Sequence, residues 1–217
     1  MAMLGFVAFA GFLPRGLTVR QQTLLASAIA VLFLIKVGFI ANVWRNSQRD
    51  VRSVREVIAQ VEPGSLVLEA DVTKEENPAW FASMPLGRNI SLLNPTYWHL
   101  AAFVLLDRHA FWPTIFAVDS QQPIRVLYPY RASLGAGAAP PDYHFLDARQ
   151  LSTEEKQRFP FIADWTNRFD YLLLLNAEGA GDLDRFLPDK LELVDRKGVA
   201  ALFRVRQSGA GLRAAVR

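Results

Sequence analysis

The sequence predicts a small α/β domain, built on a mixed sheet with flanking helices and preceded by one or two N-terminal transmembrane helices. Three observations lead to this fold class. An apolar run at residues 24–44 is about as long as a bilayer-spanning helix. Beyond it, segments with helical periodicity alternate with short apolar runs typical of strands. One of these runs, FDYLLLLNA, is apolar almost throughout, which is typical of a strand buried on both faces of a sheet.

The composition excludes several classes of protein. The 217 residues are 51% hydrophobic and 21% charged, and they include no cysteine. Disulfides, zinc–cysteine sites and cysteine nucleophiles are therefore excluded. The net charge of +3 comes from Arg and Lys residues spread along the chain, without the basic patch interleaved with aromatic rings that predicts nucleic-acid binding. The sequence contains no P-loop, G-x-S-x-G or H-E-x-x-H motif, so we predict no cofactor and no catalytic residue.

The apolar run at residues 24–44 predicts a transmembrane helix. Apolar side chains fall on every face of it, which distinguishes it from an amphipathic surface helix. Its twelve Leu, Ile, Phe and Val residues favour insertion by roughly 4–7 kcal/mol, against a cost of about 3 kcal/mol for one central lysine. That lysine, Lys36, lies in the C-terminal half, where its stem can reach the interface. Trp44 marks the aromatic belt at the membrane surface.

A shorter apolar segment at residues 2–13 completes the predicted membrane region, residues 1–44. It is too short to span a bilayer unaided, and it lacks the basic start and the cleavage site of a signal peptide. We expect it to be the end of a transmembrane helix that begins in a longer polytopic protein, or alternatively one arm of a half-inserted hairpin. The Lys and Arg residues that flank the spanning run would place the following domain in the cytoplasm.

The soluble α/β domain is predicted over residues 45–206, with a disordered tail at 207–217. Residues 45–61 continue as a helix, because valine and isoleucine recur there at three- and four-residue spacing. Pro63 and Gly64 end that helix. Residues 65–72, SLVLEADV, are a predicted strand. No glycine follows it, so it is not the first strand of a nucleotide-binding or methyltransferase site.

The middle of the domain contains one well-marked helix. Asn94 suits the N-cap and the following proline suits the first turn, so we predict a helix over residues 95–107. A strand is predicted directly after it, over residues 110–118, at a sheet edge or a bulge because of Pro113. Two short extended segments and a small-residue loop complete this part, at residues 89–93, 123–131 and 133–142.

The last third of the domain predicts the rest of the sheet. Ser152 and Glu155 fit a capping box that opens a short helix. Residues 169–177, FDYLLLLNA, are the strongest predicted strand, in the centre of the sheet. Residues 191–206 are a predicted hairpin that turns at residues 196–198.

The order of these segments resembles the C-terminal region of bacterial GT-C-like glycosyltransferases. Those are membrane proteins that transfer a sugar from a polyprenyl-phosphate carrier at the outer face of the cytoplasmic membrane. The resemblance rests on a last transmembrane helix, an arginine-bearing helix, a terminal ALFRV hairpin and the segments PGSLVLEA, HLAAFVLLDRHAFWPTIFA and FDYLLLLNAEG. It implies a location in the bacterial cytoplasmic membrane, with the α/β domain facing the periplasm or the exterior. This orientation opposes the one given by the Lys and Arg count, and we give the resemblance more weight.

The resemblance also implies a supporting role. The catalytic acidic residue of those transferases lies in the first extracytoplasmic loop of a many-helix bundle, and no residue of this sequence matches it. We therefore expect a non-catalytic terminal portion whose α/β domain caps or supports sugar transfer. Its expected partners are the lipid bilayer and other transmembrane helices or subunits of a glycosyltransferase. The alternative is a stand-alone, single-pass membrane-anchored binding or assembly module, and a free enzyme is less favoured than either.

A polar group inside an apolar stretch, His99, Asp107 and His109, is the first candidate for a site. On a helix, His99 and Asp107 are about 12 Å apart along the axis, too far to bind one metal ion. We therefore predict no metal site and assign Asp107 and His109 to the end of the helix. Two further acidic pairs are predicted to be solvated surface residues: Glu75 with Glu76, and Asp182 with Asp184.

The segment LYPYR, residues 127–131, is the best candidate for ligand binding. Tyr128, Tyr130 and Arg131 flank a proline there. Aromatic rings exposed on loops can stack on sugar faces or rest at the lipid interface. We predict these three residues as a ligand-binding site.

Overall fold

A computed structural model describes residues 17–72, 79, 83–84, 88, 96–115, 125–128, 130–134, 140–146, 152–181 and 187–206. The chain divides into two compact units, Met1–Trp44 and Arg45–Arg217. Several predictions lie outside the described residues: the segments at 2–13, 89–93 and 207–217 and the acidic pairs at 75–76 and 182–184.

The first described element is a 40-residue helix, α1, Val19–Ile58, about 60 Å long. Its apolar stretch is exposed: Leu32, Phe33 and Leu34 expose 67%, 63% and 66% of their surface. The core helix of a soluble protein would bury these side chains, because exposed apolar surface costs about 25 cal/mol per Å². Among the described residues, α1 is the one helix long and apolar enough to cross a membrane, a test of length and composition that a signal sequence also passes.

The C-terminal part of α1 belongs to the second unit and packs on its sheet. Val54, Val57 and Ile58 are fully buried, at the three- and four-residue spacing of one helix face. The helix predicted over residues 45–61 is thus confirmed as a continuation of α1, which ends at Ile58. Gly64, with a φ of 79°, lies in the turn that follows, a conformation that glycine adopts without steric cost.

A four-stranded mixed sheet forms the centre of the second unit, which confirms the α/β class. Its strands are β1 (Val67–Asp71), β2 (Tyr171–Leu175), β3 (Leu191–Lys197) and β4 (Ala200–Val205), in the spatial order β1-β2-β4-β3. Strands β1 and β2 are parallel, and the other two pairings are antiparallel. The strands predicted over residues 65–72 and 169–177 and the hairpin predicted over residues 191–206 correspond to these elements, whereas the strand expected over residues 110–118 does not.

Strand β2 lies inside the sheet and is buried on both faces, as its apolar run predicts. Leu172 and Leu174 pack in one apolar cluster, with Trp165 among the short helices. Leu173 and Leu175 pack in a second cluster on the opposite face, which also contains the buried residues of α1. The sheet therefore separates two apolar layers.

The short helices lie between the strands in sequence. A 3-10 helix, Thr96–Ala101, leads into α2, Ala102–Arg108, so the helix predicted over residues 95–107 is confirmed, with its first half in the tighter 3-10 form. His109 ends α2 in the left-handed conformation, with a φ of 51°. The remaining helices are α3 (Thr153–Arg158), α4 (Trp165–Arg168) and the 3-10 turns Tyr130–Ser133, Tyr143–Leu146 and Ile162–Asp164.

Two predicted extended segments are wrong within their described parts. In the segment 110–118, Phe111 forms a single parallel bridge with Leu66, and Pro113 and Thr114 then form a turn. Proline cannot donate a hydrogen bond to a neighbouring strand, so the pairing ends where Pro113 stands. In the segment 123–131, the chain enters the 3-10 turn Tyr130–Ser133 in place of a strand.

The hairpin of β3 and β4 turns at Gly198 and Val199, one residue later than predicted, and pairs Lys197 with Ala200. Gly198 has a φ of 49°, and a Cβ atom built on it would lie 2.8 Å from the Ser53 Oγ of α1. The backbone conformation therefore favours glycine here, and a Cβ atom would also force the Ser53 hydroxyl to move.

Replacing Gly198 with Ala is expected to lower the free energy of unfolding by about 1–2 kcal/mol, because an L-residue is strained in the left-handed region. Urea unfolding of the detergent-solubilised chain, followed by near-UV circular dichroism, measures the change. Gly181→Ala is the matched control, because a Cβ atom at Gly181 meets no atom within 4 Å. Equal stability of the two variants would contradict the strain at Gly198.

Candidate functional site

The predicted ligand-binding residues lie on an exposed turn. Tyr128 exposes 84% of its surface, and Leu127 beside it exposes 66%. The Tyr130 ring, by contrast, packs on Phe111, with ring centroids 5.1 Å apart. Arg131 is exposed, and its backbone N–H donates to the Leu127 carbonyl at 3.1 Å. The structure therefore turns Tyr128 to solvent and holds Tyr130 against the domain, and ligand binding by these residues stays a prediction.

The polar residues of the stretch 94–117 have separate structural roles. His99 is exposed on the 3-10 helix, and His109 caps α2. Asp107 accepts two hydrogen bonds from the Arg55 guanidinium, at 2.6 and 2.9 Å. Their assignment to the end of the helix is confirmed for Asp107 and His109. Among the residues that the structure describes, no group of three or more His, Cys, Asp or Glu side chains is arranged to hold a metal ion.

Two carboxylates that the sequence analysis did not single out are buried on β1. Glu69 and Asp71 are two residues apart on a strand, so their side chains lie on the same face of the sheet. They expose 0% and 2% of their surface. Their neighbours on β2 are Leu173 and Leu175, and this face of the sheet carries the second apolar cluster.

Glu69 is held by the turn that follows α2. Its Oε2 atom accepts hydrogen bonds from the Trp112 indole at 3.1 Å and from the Thr114 hydroxyl at 2.5 Å. Its Oε1 atom is buried and has no hydrogen-bond partner among the described residues. Burial raises the pKa of Glu69 to about 8, in spite of the two donors, and the nearby Asp71 adds to the rise.

Asp71 binds three donors at the carboxyl end of β1. Tyr97 and Trp98 donate to its Oδ2 atom at 2.7 and 3.3 Å, and Asn176 donates to its Oδ1 atom at 2.8 Å. Burial raises the pKa of Asp71 to about 7, although these hydrogen bonds favour the ionised form. Burial and the neighbouring carboxylate raise the pKa of Tyr97 as well, so its hydroxyl keeps its proton and remains a donor.

Asn176 connects this cluster to the end of β2. It follows the last residue of the strand and adopts the left-handed conformation, with a φ of 55°. Its Oδ1 atom is buried without a hydrogen-bond partner among the described residues. Asparagine tolerates this backbone conformation better than most residues, which explains its place at the turn.

A second buried polar cluster joins α1 to the segment after β2. The Arg88 guanidinium donates to both carboxylate oxygens of Asp50 at 2.7 Å and to Glu178 Oε2 at 2.7 Å. Burial lowers the pKa of Arg88, but its hydrogen bonds to the two carboxylates outweigh burial and raise it. All three guanidinium nitrogens are thereby engaged, and Arg88 carries its positive charge inside the domain.

Glu69 and Asp71, here called the β1 cluster, accept hydrogen bonds from side chains of the same protein. The hydroxyls of Thr114 and Tyr97 and two indole groups point at the carboxyls, which ties two loop segments to the sheet. Because both carboxyls have raised pKa values, the cluster can take up or release protons near neutral pH.

One signal in the sequence could have indicated this cluster. In VLEAD, two acidic residues alternate with apolar ones in a strand flanked by apolar segments, so both must lie on one face. The donors come from residues 26 to 105 positions away and could not be inferred.

Comparisons with known proteins add no relative. The sequence matches no family model, and no curated protein or solved structure is significantly similar to it. The fold itself defines the class: a four-stranded mixed α/β domain that follows a helix long and apolar enough to cross a membrane.

Proposed function

We propose that this chain is a membrane-anchored, non-catalytic portion of a glycosyltransferase-like integral membrane protein. Its α/β domain lies outside the cytoplasm, where it caps or supports sugar transfer at the outer face of the membrane. The observation that supports anchoring is the exposed apolar stretch of α1. Exposure of this stretch to water is unfavourable, and a bilayer would bury it. The resemblance in segment order supports the link to sugar transfer.

The buried polar clusters support a non-catalytic role. Glu69, Asp71 and Arg88 are all engaged with side chains of the same chain. A catalytic acid must reach a reacting atom within hydrogen-bond distance, and carboxyls with 0% and 2% exposure are closed to a sugar. Tyr128 and Leu127 are exposed and could contact a ligand or a partner.

Anchoring is tested by placing charge in the apolar stretch of α1. The variant Phe33→Asp with Leu34→Asp is expected to lose membrane retention, because two central aspartates cost on the order of 6 kcal/mol of insertion free energy. The measurement is the fraction of protein that stays in the membrane pellet after a carbonate wash. Phe33→Ala with Leu34→Ala is the control and is expected to remain in the pellet.

Two outcomes would contradict anchoring by α1. The aspartate variant would resist the carbonate wash as the unchanged chain does, or mass spectrometry of the membrane fraction would find the protein without residues 19–44. The second result would identify α1 as a cleaved signal sequence.

Orientation is tested by a reporter fused after Arg206. Alkaline phosphatase at this position is expected to be active, because the enzyme folds only outside the cytoplasm. A fluorescent protein that matures only in the cytoplasm, fused at the same residue, is the matched control and is expected to be dark. The reverse pattern would overturn the proposed placement of the domain.

The role in sugar transfer is tested in membranes. Deletion of the gene is expected to reduce transfer from a radiolabelled polyprenyl-phosphate sugar, and the full chain supplied in trans is expected to restore it. A photocrosslinking residue at Tyr128 is expected to capture a polytopic membrane protein. Unchanged transfer in the deletion strain would reject the glycosyltransferase-like role and favour the stand-alone binding or assembly module.

A further inference from the structure

We propose that Glu69 and Asp71 form a proton-binding device that controls two loop segments. When both carboxyls carry a proton, the segments at residues 96–98 and 112–114 stay docked on β1. When both carboxyls ionise, the two segments are released from the sheet. The proposal rests on the interior of the α/β domain and is independent of the function proposed above.

The geometry connects the carboxyls to both segments. Glu69 binds the 112–114 segment through Trp112 and Thr114, whereas Asp71 binds the 96–98 segment through Tyr97 and Trp98. Each carboxyl therefore fixes one segment, and the two carboxyls share one face of one strand. A change in their charge acts on both segments together.

Within the described part of the chain, no positively charged group acts on the pKa of Glu69 or Asp71. The groups that face the pair are four donors from the two segments, the Asn176 amide from the end of β2, and apolar residues of the second cluster. From the segment at 140–142 comes Asp142, a like charge that disfavours ionisation of Asp71. Among the described residues, the buried cation is Arg88, whose guanidinium nitrogens are bonded to Asp50 and Glu178.

Two uncompensated anions inside a protein are costly, and the chain can avoid the cost in two ways. It can bind protons, or it can open and let water reach the carboxylates. The docked segments bury the pair, with Tyr97 and Trp112 exposing only 6% and 8% of their surface. Opening these segments would let water reach Glu69 and Asp71.

Hydrogen bonding differs between the two carboxyls. A proton on Glu69 Oε1 breaks no bond, because that atom has no partner among the described residues. Both oxygens of Asp71 accept hydrogen bonds, which favour its ionised form. Burial outweighs these bonds in both groups and raises both pKa values.

Hydrogen exchange on the full chain in detergent, at pH 6 and pH 9 and corrected for the intrinsic effect of pH, tests the proposal. Peptides that cover residues 96–115 include the Phe111 N–H, which donates to the Ser65 carbonyl at 2.9 Å and reports docking. These peptides are expected to lose at least about tenfold protection at pH 9, while peptides of β2 and β4 keep theirs. The variant Glu69→Gln with Asp71→Asn is expected to keep protection at both pH values, because its side chains stay neutral.

The control variant is Glu192→Gln, an exposed acid on β3 of the same sheet, which is expected to behave as the unchanged chain. Equal protection of residues 96–115 at pH 6 and pH 9 in the unchanged chain would overturn the proposal, as would an equal loss in β2 and β4. If the double variant does not fold, carboxyl ¹³C shifts of the unchanged chain decide. Titration of both groups at ordinary pKa values would reject the device, and titration near neutral pH with the loss of protection would support it.

Discussion

Replacing Arg88 with Met is expected to lower the free energy of unfolding by about 3–5 kcal/mol, because it leaves Asp50 buried without its cation. Arg88 exposes 8% of its side chain, Asp50 exposes 12%, and both carboxylate oxygens of Asp50 accept from the guanidinium. The lost attraction and the uncompensated charge on Asp50 both lower the free energy of unfolding. Urea unfolding of the detergent-solubilised chain at pH 7, followed by near-UV circular dichroism, measures the change.

The chain provides its own control for this prediction. Arg55 and Asp107 form an ion pair with the same two-point geometry, but Arg55 exposes 53% of its side chain. Arg55→Met is expected to destabilise the chain far less than Arg88→Met, because water screens an exposed pair. A second control, Arg88→Met with Asp50→Leu, is expected to regain much of the loss because no unpaired charge remains. Equal effects of the two single substitutions would show that burial does not set the value of the Arg88 pair.

The second prediction concerns the dependence of stability on pH. Folding raises the pKa of Glu69 from an ordinary 4.5 to about 8, so the folded chain binds more protons than the unfolded chain between these values. The free energy of unfolding must then fall as the pH rises through this window and level off above it. At about 1.4 kcal/mol per pKa unit, the loss due to Glu69 is at most on the order of 5 kcal/mol, and release of the loop segments limits it by hydrating the carboxylate.

Glu69→Gln is the variant that checks this dependence. Its neutral amide keeps the shape of the protonated acid, so the variant is expected to be more stable than the unchanged chain at pH 9, by about 2–4 kcal/mol, and nearly equal to it at pH 4. Urea unfolding at a series of pH values from 4 to 9 measures both limits, with Glu192→Gln as the exposed control. Parallel curves for the unchanged chain and Glu69→Gln would show that folding does not raise the pKa of Glu69.

Sequence reasoning succeeded where the signal is local and repeated. The apolar run at residues 24–44, the periodicity of the following helix and the apolar run of β2 each depend on neighbours in sequence. It failed at residues 110–115, where β-forming residues surround Pro113 but the chain makes one bridge and a turn. That segment is shaped by Glu69, 43 residues from Trp112, and no local pattern encodes such a contact.

The candidate sites show the same difference between local sequence patterns and long-range contacts. The sequence drew attention to His99, Asp107 and His109 because they interrupt an apolar stretch, and the structure places them at a helix surface and a helix end. Glu69 and Asp71, which lie in a short predicted strand, were not predicted as site residues. Only the fold reveals that this strand is covered, and burial is what changes their pKa values.

The sequence by itself determined the long apolar helix, the α/β class and the central strand, because burial of apolar side chains at a fixed period is written in the order of residues. The tertiary structure alone decided which polar side chains are removed from water and which donors meet them. Glu69 receives its donors from residues 112 and 114, and Asp71 from residues 97, 98 and 176. Such contacts depend on how β1 pairs with β2 and how the loops close over that face, which is a property of the whole domain and of no single segment.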